Sequence, residues 1–284
     1  MPFGLERLQS STDTRFVEDA LSTNLTPNRD VGLMGHGAVG KGLLEYQAGI
    51  FNGVPDGGNS ESDVDSGKEL AARLFVNPFK NGDSEPLKGL GAGAAVTYGE
   101  QSGAGNLGSY KTAGQETFFR YRSDVTAAGP HTRVSPQAYY YYRSFGLLGE
   151  WIRSAQEVSR GAASDRISNG GWQATASYVL TGEKNSYKGI DPARPFDPRK
   201  GGWGAWELAA RYSRLDVDAT AFPTFANPDQ SAESARAWAV GLNWYPNRNV
   251  KVMLDYERTA FVGGSPRGDR DDEHAAFVRF QVSF

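Results

Sequence analysis

The sequence predicts an all-β fold, a transmembrane antiparallel β-barrel, and three observations carry that prediction. Apolar and polar residues alternate with a period of two along many short segments. In 284 residues of mean hydropathy −0.52, no run approaches the roughly 18 consecutive apolar residues that a membrane helix needs. The chain holds 35 glycines, 13 tyrosines and 6 tryptophans, and aromatics gather at strand ends, where barrels place their interfacial girdles. Residues 275–284 are the plainest segment. Ala276, Val278, Phe280, Val282 and Phe284 fall on one face, and Ala275, Phe277, Arg279, Gln281 and Ser283 on the other. In a barrel the apolar face is the outside.

Taken in order, residues 3–8 and 29–34 read as short strands around a helical stretch at 10–21. There Ser10 and Asp13 have capping-box spacing, and Phe16, Val17, Ala20 and Leu21 share a face. Alternating segments follow near 43–52, 69–77, 90–98, 117–122, 135–142, 146–156, 171–181, 203–214, 236–245, 250–259 and 275–284, about thirteen strands in all. Trp238, Val240, Leu242 and Trp244 alternate with small or polar residues. A tight turn at 246–249 then leads into Val250, Val252, Leu254 and Tyr256, set against Lys251, Met253, Asp255 and Glu257. Long polar links at 158–170, 215–235 and 260–274 suit extracellular loops. The link at 182–202 falls on the short-turn side and breaks the parity. No fixed-period repeat supports a propeller.

Composition excludes several classes of function. Without cysteine there is no disulfide framework or thiolate metal site. A net charge of −3 excludes a broadly basic nucleic-acid binder. The run Gly35–Gly42 matches G-x-G-x-x-G but lacks Ser or Thr after Lys41, and alternation resumes at once, so it reads as a glycine-rich hairpin. Asp56, Glu61, Asp63 and Asp65 lack EF-hand order and read as a solvated acidic loop. The three histidines have no metal-ligand spacing, and no serine lies in a nucleophile elbow.

Parity assigns the interior cations. Arg73 lies opposite Leu74 and Val76, Arg120 and Arg122 opposite Phe119 and Tyr121, and Arg211 opposite Leu208, Ala210 and Tyr212; Lys251 and Arg279 complete the set. A cation on the lipid face at the midplane costs about 2–4 kcal/mol, a cost that a water-filled lumen largely removes. Spaced guanidinium forks there would replace anion hydration with charge-assisted hydrogen bonds. The alternative is simple solvation of an interior balanced by Glu45, Glu207, Asp255 and Glu257.

GLERLQSSTDTRF (4–16), PNRDVG (27–32), GIFNGVPDGGN (49–59), RLFVNPF (73–79), SPQAYYYYRSFGLLGEW (135–151), RPFDPRKGGWGAWELAARYSRLD (194–216) and GLNWYPNRNVKVMLDYE (241–257) together make the chain resemble the phosphate-selective porin O and P family. The resemblance implies a sixteen-stranded, homotrimeric barrel in the outer membrane of a Gram-negative bacterium. It implies passive passage of phosphate, polyphosphate or other anions through an Arg/Lys-lined pore, contact with outer-membrane lipid, and neither cofactor nor enzymatic activity. It also implies that residues 1–284 form one barrel domain that starts inside the family pattern, with a signal peptide and further strands upstream. The stretch at 10–21 corresponds to a loop folded into the barrel, with Arg7 and Arg15 at the constriction. A general small-solute porin and an outer-membrane hydrolase barrel are the alternatives.

Overall fold

The computed structural model describes residues 1–59, 66–103 and 106–283. It is all-β and antiparallel, as the alternation predicts. Its strands are β1 (Gly32–Val39), β2 (Leu44–Phe51), β3 (Glu69–Val76), β4 (Leu90–Gly103), β5 (Ser109–Lys111), β6 (Thr117–Arg120) and β7 (Thr126–Tyr142), followed by β8 (Phe145–Arg160), β9 (Ala163–Val179), β10 (Ala205–Asp216), β11 (Ala232–Asn247), β12 (Val250–Ser265), β13 (Gly268–Asp269) and β14 (Glu273–Val282). A twelve-stranded sheet runs β1-β2-β3-β4-β7-β8-β9-β10-β11-β12, with β13 and β14 both pairing β12. Strands β5 and β6 form a separate hairpin. Among the described residues, β1 and β14 are the two ends of the sheet.

Strict alternation decides which face is which. On β10, Ala205, Glu207, Ala209, Arg211 and Ser213 are buried, while Leu208, Ala210, Tyr212 and Arg214 are exposed. The exposed face is the apolar one elsewhere too: Leu70 and Leu74 on β3, Val240 on β11, Leu254 on β12, Val278 and Phe280 on β14. An apolar face turned out and a polar face turned in is the pattern that lipid selects. Aromatics bound this outer band at both levels. Trp206 stacks on Trp244 at 5.5 Å near one end, while Trp172–Tyr212 and Trp238–Tyr256 pairs lie toward the other. Leu254→Arg is therefore expected to destabilise full-length protein refolded into lipid vesicles by about 2–4 kcal/mol. Equal urea midpoints for wild type and variant would place this face in water.

Three sequence expectations change. Residues 3–8 form turns, not a strand, with Leu8 N–H donating to Gly4 O at 3.2 Å and Phe3 and Leu5 fully buried. The stretch 10–21 is not helical; the only helical turn there is a 3-10 turn at Leu21–Leu25. The capping-box residues make a local turn instead, Asp13 N–H donating to Ser10 O at 2.8 Å. Thr14 O, Arg15 O, Val17 N–H and Leu21 N–H find side-chain partners on the strands, which removes the need for helical bonds there. Segment 117–122 is not a spanning strand either. It holds β6, on which Phe118 and Phe119 are both buried, in an inturned hairpin.

Of the loop expectations, one changes and one holds. The link at 158–170 is mostly strand: Arg160 pairs with Ala163 around a two-residue turn. The long link after β9 does share an end with the tight turns at 143–144 and 248–249, and no strand is hidden in it. It folds inward. The glycine-rich run at 35–42 forms the β1–β2 hairpin, whereas Glu61, Asp63, Asp65 and Phe284 lie outside the described residues.

Candidate functional site

The inward face of the sheet encloses the amino-terminal segment 1–28. Its backbone is held by side chains of the strands. Glu150 accepts from Leu5 N–H at 2.6 Å and Glu6 N–H at 3.2 Å, and Asp255 accepts from Val17 N–H at 2.6 Å. Asn243 donates to Arg15 O at 3.0 Å. At Gly241 an added Cβ would lie 2.7 Å from Asp255 Oδ1 and 3.2 Å from the Phe16 ring, so a side chain there would crowd the segment away. From the tight-turn end the 180–204 loop meets it: Tyr187 Oη donates to Leu5 O at 2.6 Å, and Gln9 donates to Tyr187 O at 2.9 Å.

Most cations of this middle layer are paired. Arg211 donates to Glu6 at 2.8 Å and to Glu257 at 3.0 Å, with its guanidinium 4.4 Å from the Phe16 ring centroid. Arg15 donates to Glu207, Asn185, Asp13 O and Ser186 O, and is buried. Arg7 pairs with Asp19 at 2.7 Å and is half-buried. Lys251 donates to Thr14 O and lies 5.0 Å from the Tyr245 ring centroid. Arg279 faces inward on β14, half-buried. Arg120 and Arg122 lie away from this layer, on and beside the β5–β6 hairpin, donating to Gln230 and to Pro223 O.

Burial lifts the Glu6 carboxyl to about 7, with Arg211 opposing the rise. Its folded pKa is above its ordinary 4.5, so its contribution to stability falls as pH rises between those values. Lowering the pH through about 7 neutralises one interior carboxylate. The anion preference of reconstituted full-length protein is therefore expected to rise across that step, and to lose the step in Glu6→Gln. A flat profile in the wild type would contradict this.

Toward the side opposite the tight turns, apolar packing fills part of the interior. Phe3, Leu21, Leu25, Tyr110, Phe118, Phe119 and Phe261 belong to one buried apolar cluster inside the sheet. Beside it lies a charged knot missed by sequence reading. Arg133 on β7 is fully buried and donates to Asp56 at 2.7 Å, Glu69 at 2.5 Å and Val54 O at 2.6 Å. Asp56 also accepts from Ser154 at 2.9 Å and Tyr110 at 3.1 Å. Extending the β7 alternation upstream of residue 135 would have placed Arg133 and His131 inside.

Near the tight turns the interior opens into a cavity of about 770 Å³. Arg73, Lys80, Lys88, Arg143, Lys184 and Lys188 line it, against the carboxylates Glu45 and Glu85. Arg73 stands on β3, donates Nε–H to Gln137 at 2.9 Å and lies 4.7 Å from the Phe75 ring centroid. Its other guanidinium N–H groups have no protein acceptor among the described residues. A second cavity of about 510 Å³ shares Lys184, Ser186 and Lys188 with the first and adds Arg248 and Lys251. Apart from Arg73 and Lys251, these cations sit on turns and loops, where alternation carries no signal.

A family model described as phosphate-selective porin O and P matches residues 1–284. Porin O of Pseudomonas aeruginosa is 27% identical over 316 aligned residues, which cover 99% of this chain and 68% of that protein. The ferric yersiniabactin uptake receptor FyuA of Yersinia pestis aligns at 15% identity and a TM-score of 0.33, covering 88% of this chain and 40% of the receptor. This chain thus spans less than half of that receptor's length. An apolar outer band, inward charge and a family match over residues 1–284 lead to one conclusion: the chain belongs to the phosphate-selective porin O and P family, channels rather than enzymes, of the Gram-negative outer membrane.

Proposed function

We propose that this chain is part of a passive channel that admits phosphate and related anions, entering or leaving through the basic cavity at the tight-turn end. In barrels of this kind short turns face the periplasm, which makes the cavity a periplasmic vestibule. The observation that carries the reading is the charge balance of that cavity, six cations against two carboxylates around a guanidinium with uncommitted donors. A guanidinium fork matches phosphate geometry, and lysines concentrate anions without binding them tightly. Conduction needs both features, since an anion must leave as readily as it enters. Among the cations read from sequence, Arg73 and Lys251 line these cavities, Arg279 faces the same interior, and Arg7, Arg15 and Arg211 set the electrostatics of the layer behind. Arg120 and Arg122 act, on this reading, at the opposite mouth. The channel works as a homotrimer.

Full-length protein in planar bilayers under a salt gradient is expected to give a reversal potential of anion sign, with chloride current reduced by added phosphate. Arg73→Gln is expected to weaken the phosphate block several-fold. A cation-preferring reversal potential would overturn the proposal.

A further inference from the structure

The outward face carries a feature that anion passage does not use. Just beyond the aromatic girdle away from the tight turns, adjacent strands each present an exposed arginine: Arg214 follows Tyr212 on β10, Arg236 precedes Trp238 on β11, and Arg258 follows Tyr256 on β12. Arg214 and Arg236 are direct cross-strand partners. Arg258 is paired with Trp238, which places it diagonal to Arg236. Direct cross-strand partners hold their Cβ atoms roughly 5 Å apart and diagonal ones roughly 7 Å, and like charges so placed repel. Protein carboxylates answer only part of this. Arg214 is bound by Asp216 at 2.6 Å and Arg258 by Asp272 at 2.5 Å, while Arg236, between them, has no protein partner among the described residues.

Below Arg236 on the same face lies an apolar groove of about 650 Å³, lined by Leu208, Ala210, Val240, Leu254, Tyr256 and Ala276. Small side chains on neighbouring strands form its floor, and Tyr256 is its aromatic edge. We propose that this face binds a phosphorylated lipid of the surrounding leaflet, with a headgroup phosphate bridging Arg236 to Arg214 and Arg258 and an acyl chain lying in the groove below. Aromatic girdles mark headgroup depth, so the arginine arc stands at the level of lipid phosphates. Guanidinium forks bind phosphate bidentately. The groove decides for a lipid over free phosphate, because inorganic phosphate has nothing to place in an apolar channel.

The test is native mass spectrometry of full-length protein released from detergent after incubation with bis-phosphorylated lipid A, its dephosphorylated form, or the phosphorylated form plus excess inorganic phosphate. Wild type is expected to retain the phosphorylated lipid about tenfold more strongly than the dephosphorylated one, the equivalent of one charge-assisted contact. Inorganic phosphate is expected not to displace it. The double variant Arg214→Gln/Arg236→Gln is expected to hold both lipids at the weaker level. Equal retention of the two lipids by wild type, or displacement by inorganic phosphate, would overturn the proposal without reference to any variant. So would undiminished binding by a double variant that migrates as folded, heat-modifiable protein.

Discussion

Replacing Arg133 by alanine is expected to destabilise the folded protein by about 3–5 kcal/mol, the range for removing one partner of a buried ion pair. The guanidinium is fully buried, and its three nitrogens reach Asp56, Glu69, Thr97 and Val54 O. Its loss strands two carboxylates without their cation and frees the 52–59 loop from β7. Urea unfolding of full-length protein in detergent, followed by tryptophan fluorescence, measures the effect. Arg133→Lys is expected to recover part of it, because a lysine restores the charge but not the fork. An unchanged midpoint for Arg133→Ala would mean that the knot is not a structural anchor. The same knot predicts an acid limit. Burial pushes the Asp56 carboxyl up, but Arg133 and His131 outweigh it and hold the group at about 2, below its ordinary 3.8. Its stabilisation is therefore complete above about pH 4 and lost as pH falls through about 2.

Reversing two vestibule charges, in Lys184→Glu/Lys188→Glu, is expected to lower the ratio of anion to cation permeability by about tenfold. The change replaces two positive charges by two negative ones on side chains that line both cavities. Both lysines are exposed, and the loop that bears them is anchored by other residues, Asn185 to Ser177 at 2.7 Å and Tyr187 to Leu5 O at 2.6 Å. The fold is thus left intact while the local field inverts. Reversal potentials near 0.1 M salt, where the screening length is about 10 Å, are expected to reveal the effect, and higher salt to shrink it. A ratio unchanged at low salt would move the anion route away from this end.

The spanning strands were legible because lipid outside and polar groups inside impose a period of two that survives in the sequence. Leu74 beside Arg73, and Leu254 beside Asp255, carry that signal without any knowledge of tertiary contacts. Residues 10–21 failed for the complementary reason. Their apolar residues fit a helical face, but Asp255, Ser213, Asn243 and Lys251 bond to their backbone from distant strands, and no local pattern encodes such partners. Segment 117–122 failed because the inturned hairpin buries Phe118 and Phe119 together, which alternation cannot anticipate. Within the candidate site, Arg73 followed from strand parity. Lys80, Lys88, Arg143, Lys184 and Lys188 did not, since loops have no faces until the fold gives them one.

The hydrogen bond from Tyr187 to Leu5 joins two segments that enter the interior from opposite ends, and buried carboxylates clamp one of them to the wall. In the proposed channel, such segments would bound a passage whose wall is hydrogen-bonded in place. Its calibre is set by fixed covalent and hydrogen-bonded geometry, so a solute slightly too wide gains nothing from waiting for the wall to breathe. Discrimination by size then becomes a sharp threshold, and raising the temperature speeds the ions that already fit without admitting the next larger kind.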